Sequence, residues 1–216
     1  PRDRRQRQMC IRDRYGGAIY MDGNTSTLTN VVVTNTKTNG NSGRVYGGGI
    51  YYEGGGASTW NNITISDQDI NATSYIYGGA LYLNNSNPTI NSSFFTRSYC
   101  DNSVSGRVYG GGVYVNGGTA SFSKVYMTCN ETFSTSYNYG AGFYITNSAN
   151  VTLTNGLIAH NIITNTGPFT YGAGIYVGSS STLNAINTTV TENSRNAGTT
   201  NGVGLYNTSS TVNLTN

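Results

Sequence analysis

The stretch Tyr46-Gly47-Gly48-Gly49-Ile50-Tyr51 has six counterparts along the chain. They are Tyr15-Gly-Gly-Ala-Ile-Tyr20, Tyr77-Gly-Gly-Ala-Leu-Tyr82, Tyr109-Gly-Gly-Gly-Val-Tyr114, Tyr139-Gly-Ala-Gly-Phe-Tyr144, Tyr171-Gly-Ala-Gly-Ile-Tyr176 and Asn201-Gly-Val-Gly-Leu-Tyr206. Successive starts lie 31, 31, 32, 30, 32 and 30 residues apart. A period of this size defines a structural unit that stacks on its neighbours. A longer period overlies it. Ser42-Gly-Arg-Val-Tyr-Gly-Gly-Gly49 recurs letter for letter at 105–112, 63 residues on, and Thr73-Ser-Tyr-x-Tyr-Gly78 recurs at 135–140, 62 residues on. The chain has the pattern of a sequence grown by duplicating pairs of units.

Within a unit the hydrophobic pattern is that of strands. Alternation puts Ile50/Tyr52, Leu81/Leu83, Val113/Val115, Phe143/Ile145 and Ile175/Val177 on one face of a first strand. A turn rich in Gly or Asn follows. A second strand centres on Leu28, Trp60, Ile90, Phe122, Leu153 and Leu183. A third carries Val31/Val33, Ile63/Ile65, Phe95, Val125/Met127, Ile158 and Val190. A polar segment of roughly ten residues then leads to the next Tyr-Gly. No stretch has a helical period. Three short strands with one inward row each cannot bury themselves alone but can when stacked. The expected fold is therefore an all-β, right-handed parallel β-helix of about seven coils, about 31 residues each, with three short strands per coil. Gly17, Gly48, Gly79, Gly111, Ala141 and Ala173 are expected to face a narrow inner corner that excludes larger side chains.

Composition agrees and narrows the classes. Gly (29) and Tyr (18) are over-used while only 10% of residues are charged, which excludes an α-rich fold, a charge-driven disordered chain and, with 3 Pro, collagen. No apolar run is long enough for a transmembrane helix, so no membrane insertion is expected from this segment.

The formal charge of +3 is unevenly placed. Arg2, Arg4, Arg5, Arg7, Arg12 and Arg14 sit in a head, PRDRRQRQMCIRDR, that contains no Gly, Asn, Ser, Thr or Tyr. Met9-Cys10-Ile11-Arg12-Asp13 reads as translated library-adapter sequence. Residues 1–14 are accordingly expected to be an unstructured sequencing artefact, and 15–216 a single β-helix domain truncated at both ends, with flanking domains of the same chain missing. Without the head, six basic and seven acidic residues remain, a net charge of −1. That removes the case for a nucleic-acid partner.

The GGA[ILV] motifs at Gly16-Gly17-Ala18-Ile19 and Gly78-Gly79-Ala80-Leu81, followed by strands rich in Thr and Asn, resemble the repeats of polymorphic outer-membrane proteins and related β-helical adhesins. They also resemble the wider pectin-lyase-like group. The other five units carry GGG, GAG or GVG. The partner F-x-x-N motif appears only in looser form at Met127–Asn130, Ile158–Asn161 and Val190–Asn193. What the resemblance implies is a β-helical segment of a secreted or cell-surface protein, bacterial outer surface foremost, serving as a structural or adhesive module. Polysaccharide or cell-surface glycans and proteins would be its partners. The same resemblance leaves an alternative, a polysaccharide lyase or glycoside hydrolase.

Candidate chemistry is sparse. Asp22 and Glu53 occupy one place in adjacent units, so stacking would bring two carboxylates within about 5 Å, a spacing compatible with glycoside chemistry. The column continues as Asn84, Asn116 and Thr146, and with no nearby basic residue to complete a lyase site it reads foremost as a solvated turn ladder. Asp67 and Asp69 read as loop charges, and His160 as a solvent-facing loop residue. No metal site and no cofactor is expected, since the Gly-rich segments lack a phosphate-binding pattern. Tyr20, Tyr51, Tyr82, Tyr114, Tyr144, Tyr176 and Tyr206 fall on the outward face by alternation, an expected exposed ladder that either presents rings to sugars or simply stacks on itself as strand-favouring residues do. Tyr15, Tyr46, Tyr77, Tyr109, Tyr139 and Tyr171 form a second column before the strand. Cys100 and Cys129 lie in the return segments of adjacent units, about three repeat positions out of step. A bridge between them and two free thiols are both compatible with the sequence.

Overall fold

Each unit completes one turn of a parallel β-solenoid. The structure is a computed structural model that describes residues 13–23, 25–40, 43–167, 169–196 and 199–216. One coil runs through the strands Val45–Tyr46, Ile50–Glu53, Ala57–Asn61, Thr64–Ser66 and Asp69–Ala72. Equivalent strands of successive coils pair in parallel and form five sheets, three of seven strands and two of six. The described chain thus makes six complete turns and three strands of a seventh. Register follows the repeat without slippage. Leu81 pairs with Ile50 below and Val113 above, and Tyr82 with Tyr51 and Tyr114.

Five strands per coil replace the expected three. The three anticipated strands are those of the second, third and fourth sheets. The polar return segment supplies the other two: the fifth sheet and the first sheet of the next coil. Its inward residues explain why the alternation is faint in the sequence. They are Thr38 and Gly40, Ile70 and Ala72, Cys100 and Asn102, Thr132 and Ser134, all buried. Small and polar side chains inside a narrow lobe carry little hydrophobic signal. Parallel backbone pairing holds the strands regardless of side chain.

The expected inward rows form the main core. Ile50, Trp60, Ile63, Ile65, Leu81, Phe95, Val113, Phe122 and Phe143 are all at or near zero exposure. A smaller cluster of Val45, Ile70, Ala72, Ile76, Cys100 and Val108 fills the lobe between the fifth and first sheets.

Sharp bends separate the sheets. Gly47 turns the first sheet into the second with φ 63°, as its counterparts do in every coil, a conformation open to Gly at little cost. At Gly48 an added Cβ would lie 2.2 Å from Ile70 Cδ1, so the narrow corner is real. Two further bends per coil use a single left-handed residue. One row is Asn30, Asn62, Ser92, Lys124, Asn155 and Asn187, and the other Asn35, Asp67, Arg97, Cys129, His160 and Glu192. The backbone N–H groups of ten of these twelve donate to the next coil, as Arg97 N does to Thr128 O at 3.2 Å. That bond helps offset the strain of about 1–3 kcal/mol at each such residue.

The described solenoid begins inside the alien head. Arg14–Tyr15 pairs with Val45–Tyr46, and Asp13 Oδ1 accepts from Arg44 N at 3.0 Å. A ladder needs only backbone groups, so composition does not mark its edge. The rest of the head, residues 1–12, lies outside the described residues.

Candidate functional site

The outward tyrosine column is present, but it is not an exposed platform. Tyr51, Tyr82, Tyr114 and Tyr144 are only 2, 5, 7 and 7% exposed. Their rings stack along the solenoid, with centroids 5.1, 4.8 and 4.9 Å apart. Only Tyr20, at 50%, is fully open, while Tyr176 and Tyr206 are half-buried. The cover is the second column. Tyr46, Tyr77, Tyr109 and Tyr139 stack among themselves and set their rings edge-on against the first column, for example Tyr46 on Tyr82 at 5.6 Å and Tyr109 on Tyr144 at 5.3 Å. The bend at Gly47 folds the first sheet toward the second and creates a re-entrant outer corner. Alternation correctly assigned the side of the sheet. It could not show that the corner closes over that side. The double column is a second, external core, each ring pair contributing about 0.5–1.5 kcal/mol beyond area burial. Burial pushes the phenol pKa values of Tyr82, Tyr114 and Tyr144 far up, and that of Tyr176 up to about 12.

Asp22 and Glu53 are register partners, as expected. The Glu53 carboxylate is engaged on several sides. It accepts from Tyr51 Oη at 2.5 Å, Tyr20 Oη at 2.7 Å and Asn84 Nδ2 at 3.1 Å. These bonds, Tyr51's foremost, hold its pKa below the usual carboxylate value and push Tyr20 up to about 12. An acid that must protonate a leaving group needs the opposite shift. The ladder continues upward as Asn116 Nδ2 donates to Asn84 Oδ1 at 2.8 Å.

Three further pairs join charged side chains among the described residues. Arg97 Nε and Nη2 grip Asp67 at 2.6 and 2.8 Å, Lys37 meets Asp69 at 3.3 Å, and His160 Nε2 lies 2.9 Å from Glu192. The Asp67 pKa falls to about 2, with the Arg97 bond as the main cause. Cys100 and Cys129 are both free. Cys100 points into the lobe, where burial raises its pKa, and Cys129 occupies an exposed bend. The difference of repeat position puts one thiol inside the wall and the other outside, so they do not bridge. Among the described residues no three His, Cys, Asp or Glu side chains gather as a metal site, and no helix is long and apolar enough to cross a membrane.

Two arrangements went unread in the sequence. The loose F-x-x-N positions are an internal asparagine ladder: Asn130 and Asn161 are fully buried, and Asn193 continues the column. The second is a set of aromatic side chains on other faces. Phe94 and Tyr126, on adjacent rungs of the fourth sheet, stack at 4.7 Å with rings 8° from parallel, and are 41 and 40% exposed. They sit on the outward side of the strands that carry Phe95 and Met127 inward. Alternation from those core residues would have located them.

Fold and site together define a parallel β-solenoid whose sheet faces display ladders of like side chains. In comparisons with known proteins the chain matches no family model, and no curated protein or solved structure matches it.

Proposed function

We propose that this chain is a non-catalytic structural and adhesive module. It acts as a rigid rod of a secreted or cell-surface protein, in the manner of β-helical adhesin repeats, and contacts glycans through exposed aromatic side chains. The observation that carries this reading is the Phe94–Tyr126 pair. Two parallel, solvent-facing rings on a flat sheet offer apolar surface and a phenol hydroxyl in a fixed geometry. Six complete turns and part of a seventh, about 30 Å of rod at the usual strand spacing, hold it without conformational cost. The cleavage alternative rests on the Asp22–Glu53 adjacency and is weakened by the hydrogen bonds and lowered pKa that keep Glu53 ionised.

Retention of the chain on a panel of immobilised neutral polysaccharides, dextran and cellulose among them, tests the reading. Phe94→Ser with Tyr126→Ser is expected to abolish retention while leaving the β-sheet circular dichroism intact. Retention on none of the panel, or equal retention of the variant, overturns it. Polymer cleavage that is lost in Asp22→Asn or Glu53→Gln would establish the enzyme instead.

A further inference from the structure

We propose that the outer face of the first sheet is a binding strip for the anionic groups of a linear polysaccharide, formed by Arg44, Tyr75, Arg107 and Tyr137. The proposal rests on the glycan-contacting reading above but uses a different face and a different ligand chemistry.

The doubled period is the starting point. It places Arg44 and Arg107 at one position of alternate coils, and Tyr75 and Tyr137 at the same position of the coils between. Parallel register converts that sequence pattern into one column, as the pairing of Tyr75 with Arg107 shows. The Arg44 guanidinium lies 5.4 Å over the Tyr75 ring, and that of Arg107 lies 4.5 Å over Tyr137. Each also donates through Nη1 to the hydroxyl of its own coil's covering tyrosine, Arg44 to Tyr46 at 3.3 Å and Arg107 to Tyr109 at 3.4 Å. Ring and hydroxyl hold each guanidinium in place and use one of its five N–H donors.

Neither guanidinium is gripped by a carboxylate, although Asp13 Oδ1, which accepts from the Arg44 backbone N–H at 3.0 Å, lies near enough to favour the Arg44 charge. Among the described residues no ion pair includes Arg44 or Arg107, whereas Arg97 is closed off by Asp67. Arg44 is exposed, and Arg107, Tyr75 and Tyr137 are half-buried. Two pre-positioned cations thus stand two rungs apart, about 10 Å, with a phenol and ring surface on the rung between them. A guanidinium fork suits a carboxylate or a sulfate alike. A stiff chain bearing such groups at intervals can meet both forks, while its ring faces and hydroxyls meet the tyrosines. A nucleic acid fits less well. Its phosphates are closely spaced, the strip has only two cations, and residues 15–216 carry a net charge of −1.

The test is affinity electrophoresis of the full chain in gels containing alginate, dextran sulfate or neutral dextran, with a single-stranded DNA oligonucleotide as a solution competitor. The wild-type chain is expected to be retarded by alginate, dextran sulfate or both, and which of them does so identifies carboxylate or sulfate as the anion. Arg44→Gln with Arg107→Gln is expected to weaken that retardation by roughly tenfold or more, as befits loss of charge-assisted hydrogen bonds. The Arg→Lys pair is expected to fall between, because it keeps charge but loses the fork. Retardation by neither anionic polymer, equal retardation of wild type and the Gln pair, or displacement by DNA below the polymer's own dissociation constant would overturn the strip. The Phe94/Tyr126 variant separates the two readings. If it alone loses neutral-polymer retention while anionic retardation is absent, the strip falls and the general reading stands. If the Gln pair loses anionic retardation while no neutral polymer is retained, the strip stands without the aromatic platform.

Discussion

Asn161 ties three coils together from inside the wall. Its Oδ1 accepts from both the side-chain and the backbone nitrogen of Asn130, at 2.9 and 3.1 Å. Its Nδ2 donates upward to Asn193 Oδ1 at 2.9 Å and back to the Met127 carbonyl at 2.8 Å. The ladder also governs the Gly motif. A Cβ on Gly112, Gly142 or Gly174 would come within 2.8, 2.7 or 2.8 Å of the amide nitrogen of Asn130, Asn161 or Asn193 in the same coil. Where the column holds the smaller Ser98, the motif position is Ala80. Gly142→Ala is therefore expected to destabilise the chain by about 1–3 kcal/mol through overpacking, and Asn161→Ser by about 1–3 kcal/mol through lost buried partners. The double variant, which copies the Ala80/Ser98 pairing, should cost clearly less than the sum. Urea denaturation midpoints of the four proteins decide it, and strict additivity would show that the two positions do not compete for space.

The covered tyrosine column makes a prediction about stability. Tyr114, 7% exposed between two ring neighbours, should cost about 3–5 kcal/mol when replaced by Ala, like other buried aromatics. Tyr20→Ala, at a 50% exposed position, should cost much less. Comparable losses at both sites in thermal or urea unfolding would contradict the burial of the column.

The two thiols should differ in reactivity. Native protein treated with a thiol reagent is expected to be modified at Cys129 and protected at Cys100, with Cys100 reacting only on unfolding. Peptide mapping distinguishes the sites. A peptide in which both are joined would mean the wall had rearranged.

Asp67 supplies a pH dependence with a definite sign. Its folded pKa, about 2, lies below the ordinary value near 3.9. The Arg97 pair therefore contributes fully above about pH 4 and is lost as pH falls through about 2. Since the pair is largely solvent-exposed, the contribution at neutral pH should be no more than about 1 kcal/mol. Stability of Asp67→Asn relative to wild type, measured from pH 7 to pH 2, should show a small deficit that vanishes at the acid end. A deficit growing with acidity would refute the assignment.

The repeat was legible because a solenoid translates sequence period directly into space. Once the Tyr-Gly motifs recur every 31 residues or so, Leu81 must sit between Ile50 and Val113, and Asp22 beside Glu53, whatever lies between. The inward rows of three sheets followed from two-residue alternation, since Trp60, Phe95 and Phe143 leave strong hydrophobic marks. The other two sheets left almost none. Thr132, Ser134 and Asn102 face inward without being apolar, and only backbone pairing between coils reveals them as strands.

Period and alternation, both local properties of the chain, decided the β-solenoid, its register and the side of the sheet on which each residue stands. Tertiary structure alone decided what covers each side. The bends bring the Tyr46 column over the Tyr51 column, press Gly142 against Asn161, put Cys100 inside the wall and Cys129 outside it, and leave Phe94, Tyr126, Arg44 and Arg107 facing solvent. The physical reason is that alternation specifies direction relative to one sheet, while burial depends on the angle between sheets. That angle is set by left-handed bend residues whose effect is felt only when the coil closes.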